Sequence, residues 1–161
     1  MRVVSNSGPL IHMARAGHFD LFQLLYGRLL IPPSVYQEVA IRGRRQAGSR
    51  ELLRAKWIRR RRPRRMDLVA ALRAFLGRGE AEAIALTAER KGTLLLIDEI
   101  HGRRVAREMG ILVVGTLGVL LQGYRNNHVP DLEAAIARMR ERGTWIDDEI
   151  VEVILAAARA R

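Results

Sequence analysis

The feature that most constrains this 161-residue chain is an unbroken apolar run, Thr93–Ile97, that ends abruptly on two acidic residues, Asp98 and Glu99. A short apolar run after a turn signal, here Lys91-Gly92, is typical of a fully buried strand in a parallel sheet. Ligands of open α/β sheets bind beyond the carboxyl ends of the strands, so Asp98 would face such a crevice. The alternative is that Asp98 only caps the helix that begins near Glu99, because Asp is a favoured N-cap residue.

Short apolar segments alternate with helical patterns along the rest of the chain. Val3–Val4, Leu29–Ile31 and Ile111–Val114 are predicted strands, the last of them also buried, and Trp57-Ile58 is a candidate edge strand. Apolar residues recur at helical spacing over Glu80–Lys91. This alternation, without repeats or a low-complexity tail, predicts a single α/β domain over residues 1–161.

The formal net charge of +11 indicates a polyanionic partner, and nucleic acid is the commonest polyanion inside a cell. The basic residues are almost all arginine. They are densest in one stretch, formed by Arg59, Arg60, Arg61, Arg62, Pro63, Arg64 and Arg65. Because these like charges repel one another, the stretch should not form a packed element unaided. This stretch is predicted to guide a phosphate backbone. It could instead be a solvated loop or a patch for an acidic partner protein, and an arginine-rich composition can also reflect genome bias or a hot habitat.

Several classes of protein are excluded by what the sequence lacks. Without cysteine there is no disulfide and no thiolate chemistry, and no apolar run approaches the roughly 20 residues that cross a bilayer. The expectation is a cytoplasmic protein without membrane attachment. The sequence contains no Walker loop, and its four histidines show no spacing of a His-Glu-x-x-His zinc site.

Oxygen ligands remain as the candidate chemistry. Asn6 follows the first predicted strand, Glu38 lies soon after the second, and Asp98 ends the buried run. Glu80 and Glu82 share the first turn of one helix, and they point roughly 200° apart, so at most one of them aims straight at a given site. Clustered carboxylates select Mg²⁺ or Mn²⁺, which can activate water against a phosphodiester. Beside a basic surface, this set indicates a metal-dependent nuclease, although a histidine-based ribonuclease remains open.

Four segments resemble the successive acidic motifs of the PIN domain, and in particular of PIN-like proteins related to VapC toxins: Val3–Ile11, Val35–Val39, Gly79–Leu86 and Leu94–Asp98. The resemblance implies a three-layer α/β/α fold with a central five-stranded parallel sheet. It covers a core of about residues 1–120, and residues 131–159 would add two helices beyond that core.

The resemblance also implies an activity, namely endoribonuclease cleavage that depends on Mg²⁺ or Mn²⁺. Such a protein is often the toxin of a toxin–antitoxin pair, held in check by a small antitoxin, and homodimers are common. Glu38 matches the second acid of the family, Asp98 matches the acid after the fourth strand, and the acid at the helix start matches Glu80 or Glu82. Together with Asn6, these residues are the predicted catalytic and metal-binding set.

The chain departs from the family pattern at Asn6, which stands where PIN nucleases usually have their first aspartate. An amide oxygen can ligate a cation but brings no negative charge. Glu99 or the second of the paired glutamates could supply that charge. The alternative is a catalytically impaired PIN-like module that binds nucleic acid through its basic surface.

Overall fold

The computed structural model describes residues 1–160, which form a parallel sheet with helices on both of its faces. The neighbouring strands all pair in parallel, in the order β3-β2-β1-β4-β5. The predicted three-layer α/β/α fold with a central five-stranded parallel sheet is therefore confirmed. The strands are β1 (Val3–Ser5), β2 (Leu29–Ile31), β3 (Ile58–Arg60), β4 (Leu94–Leu96) and β5 (Leu112–Val114).

Helices follow every strand, and one of them continues past its α-helical part as a π-helix over Gln37–Arg42. Within the described residues, no helix is long and apolar enough to cross a membrane. The helices are α1 (Ser7–Ala16), α2 (Leu21–Tyr26), α3 (Pro33–Tyr36), α4 (Ser49–Arg54), α5 (Met66–Leu72), α6 (Arg78–Ala88), α7 (Ile100–Glu108), α8 (Thr116–Arg125), α9 (Leu132–Glu141) and α10 (Asp148–Arg159).

Alternation along the strands divides the interior into two hydrophobic cores, one on each face of the sheet. Val3, Leu94 and Leu96 pack in the core that includes residues of α1, α8 and α9. Val4 and Leu95 pack in the other core, with residues of α5, α6 and α7. Because successive strand residues point to opposite faces, a strand buried on both faces is apolar throughout.

The order of the strands reverses at β1, because β2 pairs on one side of it and β4 on the other. Parallel α/β sheets open a crevice at such a switch point, outside the carboxyl ends of the strands. Ser5 pairs with Leu96, and the Asn6 amide donates to the Leu96 carbonyl over 2.9 Å. The residues that follow β1 and β4 therefore emerge side by side at this crevice.

Two sequence expectations are corrected by the outer strands. The predicted burial of the strand within Ile111–Val114 is wrong, since β5 is an edge strand and Leu112 is 58% exposed. Arg59 and Arg60 lie in β3 at the opposite edge, despite their mutual repulsion. Their backbone pairs with that of β2, and both arginine side chains remain exposed, where solvent screens their charges.

Candidate active site

An open cavity of about 630 Å³ lies at the carboxyl ends of β1 and β4. Four predicted site residues line it, namely Asn6, Glu38, Glu80 and Asp98, and Glu99 lines it as well. They come from separate parts of the sequence, and the parallel sheet with its following helices brings them to one place. The cavity is the candidate active site.

Asp98 is held by the start of α8 and by α1. Its Oδ1 accepts a hydrogen bond from the Thr116 amide over 2.7 Å, and its Oδ2 accepts one from Thr116 Oγ1 over 2.6 Å. The Nδ1 atom of His12 lies 2.9 Å from the same Oδ2. Burial acts to raise the pKa of the Asp98 carboxyl, but the hydrogen bonds from His12 and Thr116 outweigh it and keep the pKa below its usual value. Asp98 is therefore a fixed carboxylate.

The helix that follows Asp98 is capped by Glu99, and not by Asp98 as the alternative interpretation of the sequence had it. Glu99 accepts from the backbone amides of His101, over 3.0 Å, and Gly102, over 2.6 Å. Burial acts to raise the pKa of Glu99, and these amide hydrogen bonds together with Glu80 lower it below its usual value. Glu99 thus adds a second fixed negative charge beside the cavity.

Glu80, in the first turn of α6, lies against Glu99. A methyl group built on Gly102 would be 3.3 Å from both Glu80 Oε2 and Glu99 Oε2, so the two carboxyls converge on that glycine. The pKa of Glu80 is raised to about 7, most of all by burial and then by the charge of Glu99, a hydrogen bond with Glu99 and the charge of Glu38. At neutral pH Glu80 is therefore partly protonated, and the two carboxyls together carry less than two full negative charges.

Glu38 and Asn6 converge in the same way on Gly79. A methyl group there would lie 3.4 Å from both Asn6 Oδ1 and Glu38 Oε2. Glu38 is carried by the π-helix, and its Oε2 accepts a hydrogen bond from Ser7 Oγ over 2.8 Å. Helical segments of this kind occur frequently at functional sites. An uncharged amide oxygen and a carboxylate oxygen therefore share one side of the cavity.

Glu82 is directed elsewhere, although it is two residues from Glu80. It is 4% exposed, and its carboxylate accepts hydrogen bonds from the Ser34 amide over 3.2 Å, from Ser34 Oγ, and from Arg78 Nε over 3.2 Å. It does not line the cavity. Its contacts tie α6 to the start of α3.

The arginine side chains of residues 59–65 are exposed and stand apart from the acidic cavity, whereas Pro63 is buried. The guanidinium of Arg60 stacks over the ring of Tyr36 at 4.1 Å. Arg61 lines a second cavity, of about 480 Å³, together with Arg2, Arg28, Arg90 and Lys91. Those five basic residues make this second cavity strongly cationic.

His12 and Trp145 are among the residues of the candidate site that were not found from the sequence. His12 lies on α1, nearly two helical turns after Asn6. No second histidine lies four residues from it, so the sequence did not indicate a metal or catalytic role. Trp145 lies in the short loop between α9 and α10, where an aromatic residue has no strand or helix pattern to mark it. Within residues 1–160, no group of three or more His, Asp or Glu side chains is already arranged to hold a metal ion.

The family model DUF3368, described as a PIN domain, matches residues 2–160. No curated protein and no solved structure matches the chain.

Proposed function

The chain belongs to the PIN-domain family, which has a nuclease-type fold, and on that premise we propose that it is an endoribonuclease dependent on Mg²⁺ or Mn²⁺. The observation that carries the proposal is the acidic cavity at the switch point of the sheet. Glu38, Glu80, Asp98 and Glu99 surround it together with Asn6. These carboxylates would repel an anionic ligand unless a cation bound together with it.

The donor set fits a hard divalent cation. All of its side-chain donors are oxygens, which Mg²⁺ and Mn²⁺ prefer. The pKa of Glu80 is raised by burial first and then by the negative charges of Glu99 and Glu38, and a cation would offset those charges. Glu38 and Glu80 would hold it, with the Asn6 amide oxygen as a neutral donor, while Glu99, whose two oxygens already accept backbone hydrogen bonds, would add negative charge beside it. A cation bound there would lower the pKa of a water and offset charge on the scissile phosphate.

Asp98 has a different place in this proposal, because both of its oxygens already accept hydrogen bonds. We assign it to hold a cation through water, and to position His12 at the cavity. Ser7 is likewise assigned to position Glu38, because its hydroxyl donates a hydrogen bond to Glu38 Oε2. These contacts restrict the carboxylates to one geometry before substrate arrives, which is how a site is preorganised.

Arg59, Arg60, Arg61, Arg62, Arg64 and Arg65 are proposed to contact the RNA backbone. Their exposure and the net charge of +11 support such contacts, since phosphates are bound by exposed arginine and lysine. We further propose that the protein is the toxin of a toxin–antitoxin pair and acts as a homodimer. An acidic segment of a small antitoxin would compete with RNA for the same arginines.

Cleavage of a mixed RNA pool tests the nuclease proposal. The purified protein is incubated with Mg²⁺, with Mn²⁺ or with a chelator, beside an Asp98→Asn preparation that reveals contaminating nuclease. We expect cleavage only with metal, and none in the variant. Equal cleavage by both preparations would refute the assignment.

A second function is favoured by one specific observation, the uncharged Asn6 at the end of β1. With one negative charge fewer, the site would bind a cation more weakly. The chain would then be a nucleic-acid-binding module on a nuclease-type fold. Its RNA binding would fall steeply with salt but would not change with Mg²⁺, and no RNA would be cut.

A further inference from the structure

The second cavity, of about 480 Å³, lies beside the amino ends of β1, β2 and β4, whereas the acidic cavity lies at carboxyl ends. Arg2 directly precedes β1, Arg28 directly precedes β2, and Arg90-Lys91 comes shortly before β4. Because parallel strands share one direction, their amino ends bring these cations to one edge of the sheet. Arg61, which follows β3, also lines the cavity.

The backbone that carries these cations is fixed by the sheet. The Arg2 carbonyl accepts a hydrogen bond from the Leu94 amide over 2.9 Å, and the Arg61 amide donates to the Ile31 carbonyl over 2.9 Å. Gly92, with φ of 78°, makes the turn that leads from α6 into β4. The chain therefore cannot relieve the mutual repulsion of these side chains by moving its backbone apart.

Arg2 is half-buried, whereas the other four cations of the cavity are exposed. Its Nε and Nη2 atoms are shielded from solvent and have no hydrogen-bond partner within residues 1–160. The Glu89 carboxylate lies 3.8 Å from Nη2, which is too far for a hydrogen bond. Buried donors without acceptors cost free energy. An anion bound among these residues can supply the missing acceptors.

Positive charge is poorly compensated at this place. Burial, and then the charge of Arg61, lower the pKa of Arg2. Arg90 and Arg64 lower it further, and Glu89 offsets only part of the effect. Among the described residues, no acid lines the cavity. A concave surface that concentrates charge of one sign attracts a ligand that carries several charges of the other sign.

The other side chains of the cavity narrow the choice of anion. Apart from its cations and Gly92, the cavity is lined by Met1, Val3 and Leu30, so it offers no aromatic ring on which a base could stack. Its volume falls in the range of small-molecule sites, about 300–1,000 Å³. Arginine binds phosphate through two parallel hydrogen bonds, so four arginines and a lysine match more than one phosphate group.

We propose that the second cavity binds a small polyphosphate, a chain of at least two linked phosphate groups, which it recognises by charge and not by a base. Such a group occurs free, as pyrophosphate or on a nucleotide, and also at the 5′-triphosphate end of an RNA chain. The proposal does not depend on nuclease activity, because it concerns a different cavity and is tested by binding alone.

Calorimetric titration tests the ligand class. The protein is titrated without added metal, in phosphate-free buffer of constant ionic strength, with inorganic tripolyphosphate, pyrophosphate, orthophosphate and sulfate. We expect one saturable site for tripolyphosphate and pyrophosphate, and binding of orthophosphate and sulfate that is weaker by roughly tenfold or more. Equal affinity for all four anions, or no saturable binding of tripolyphosphate, would overturn the proposal.

The two lysines of the chain provide a matched pair of variants that locates the site. Both are exposed, but Lys91 lines the second cavity and Lys56 does not. Lys91→Glu should weaken tripolyphosphate binding roughly 3- to 30-fold, by removing an attractive charge and adding a repulsive one. Lys56→Glu should leave it unchanged, and both variants should melt at the wild-type temperature. Equal losses in the two would indicate only general attraction to the net charge, and would overturn the site.

Arg61→Gln tests the same cavity from the β3 side. We expect tripolyphosphate affinity to fall roughly 10- to 100-fold, the usual effect of losing a hydrogen bond to a charged group. Arg61 is exposed, so the variant should fold as the wild type does. Unchanged affinity in a folded Arg61→Gln protein would contradict the proposal.

Two oligoribonucleotides of one sequence, with a 5′-triphosphate or a 5′-hydroxyl, identify the source of the polyphosphate. Tighter binding of the triphosphate form that is lost in Lys91→Glu but kept in Lys56→Glu would support the site and identify an RNA end. Equal binding of the two oligonucleotides, beside saturable binding of free tripolyphosphate, would support the site and identify a free small molecule. A protein that binds tripolyphosphate but never cuts RNA would refute the nuclease and leave this proposal supported.

Discussion

Replacing Glu80 by Gln should make the metal-free protein more stable at alkaline pH. Glu80 is half-buried beside Glu99, and its pKa is raised from 4.5 to about 7. At 1.36 kcal/mol per unit, a rise of that size corresponds to about 3.4 kcal/mol. Because solvent reaches the carboxyl and screens it, we expect about 1–2 kcal/mol of unfolding free energy. A Gln amide is neutral at every pH and can still donate a hydrogen bond to Glu99.

The sign follows from the two protonation states of Glu80. In the unfolded chain it ionises near pH 4.5, whereas in the folded protein it keeps its proton until about pH 7. The folded state therefore binds more protons between these values, and stability falls as pH rises through them. The contribution of Glu80 is fully present below pH 4.5 and is lost above pH 7. The Gln variant does not suffer this loss.

Urea unfolding in chelator, at pH 4.5 and at pH 8, measures the effect. We expect Glu80→Gln to match the wild type at pH 4.5 and to exceed it by about 1–2 kcal/mol at pH 8. Glu152→Gln is the matched control, because Glu152 is an exposed acid on α10, and we expect a change within about 0.5 kcal/mol at either pH. An advantage of Glu80→Gln that is equal at both pH values, or a loss of stability at pH 8, would refute the crowded-carboxylate account.

Three further predictions concern the core, the buried acid and the arginine surface. Phe22→Ala removes a fully buried ring, and we expect thermal or urea unfolding to report a loss of about 3–5 kcal/mol. Glu82→Gln weakens the hydrogen bonds to Ser34 and Arg78 and should lower the unfolding free energy by about 1–3 kcal/mol, in contrast to the gain at Glu80; no loss would show that those contacts carry little energy. Arg59→Ala should flatten the plot of log affinity for single-stranded RNA against log salt by roughly 0.7, and an unchanged slope would show that this side chain touches no phosphate.

The sequence was informative where burial and chain direction determine the structure. An apolar run that stops on acids locates β4 and its carboxyl end, and a polar turn after Val3–Val4 does the same for β1. Because parallel strands share one direction, Asn6 and Asp98 had to lie at the same edge once the sheet was recognised. Glu38 could be placed only roughly, since the π-helix that carries it has no distinct sequence pattern.

Other features depend on contacts between distant segments, which a single sequence does not record. The choice between Glu80 and Glu82 depends on Ser34, nearly fifty residues earlier, whose hydroxyl and amide hold Glu82 away from the cavity. The exposure of β5 depends on its position at the edge of the sheet, and an apolar segment looks the same at an edge as at the centre. Trp145 was missed because only its position beside the cavity indicates a functional role.

The most direct test of the account is RNA cleavage by Glu80→Gln and Glu82→Gln side by side, with saturating Mg²⁺ and below the melting temperature of both variants. The two substitutions are chemically identical and lie in the same helical turn, so they differ in where the side chain points and in how deeply it is buried. The account predicts that Glu80→Gln loses cleavage and Glu82→Gln keeps it. Cleavage that survives in Glu80→Gln and disappears in Glu82→Gln would contradict the assignment of the acidic cavity as the catalytic site.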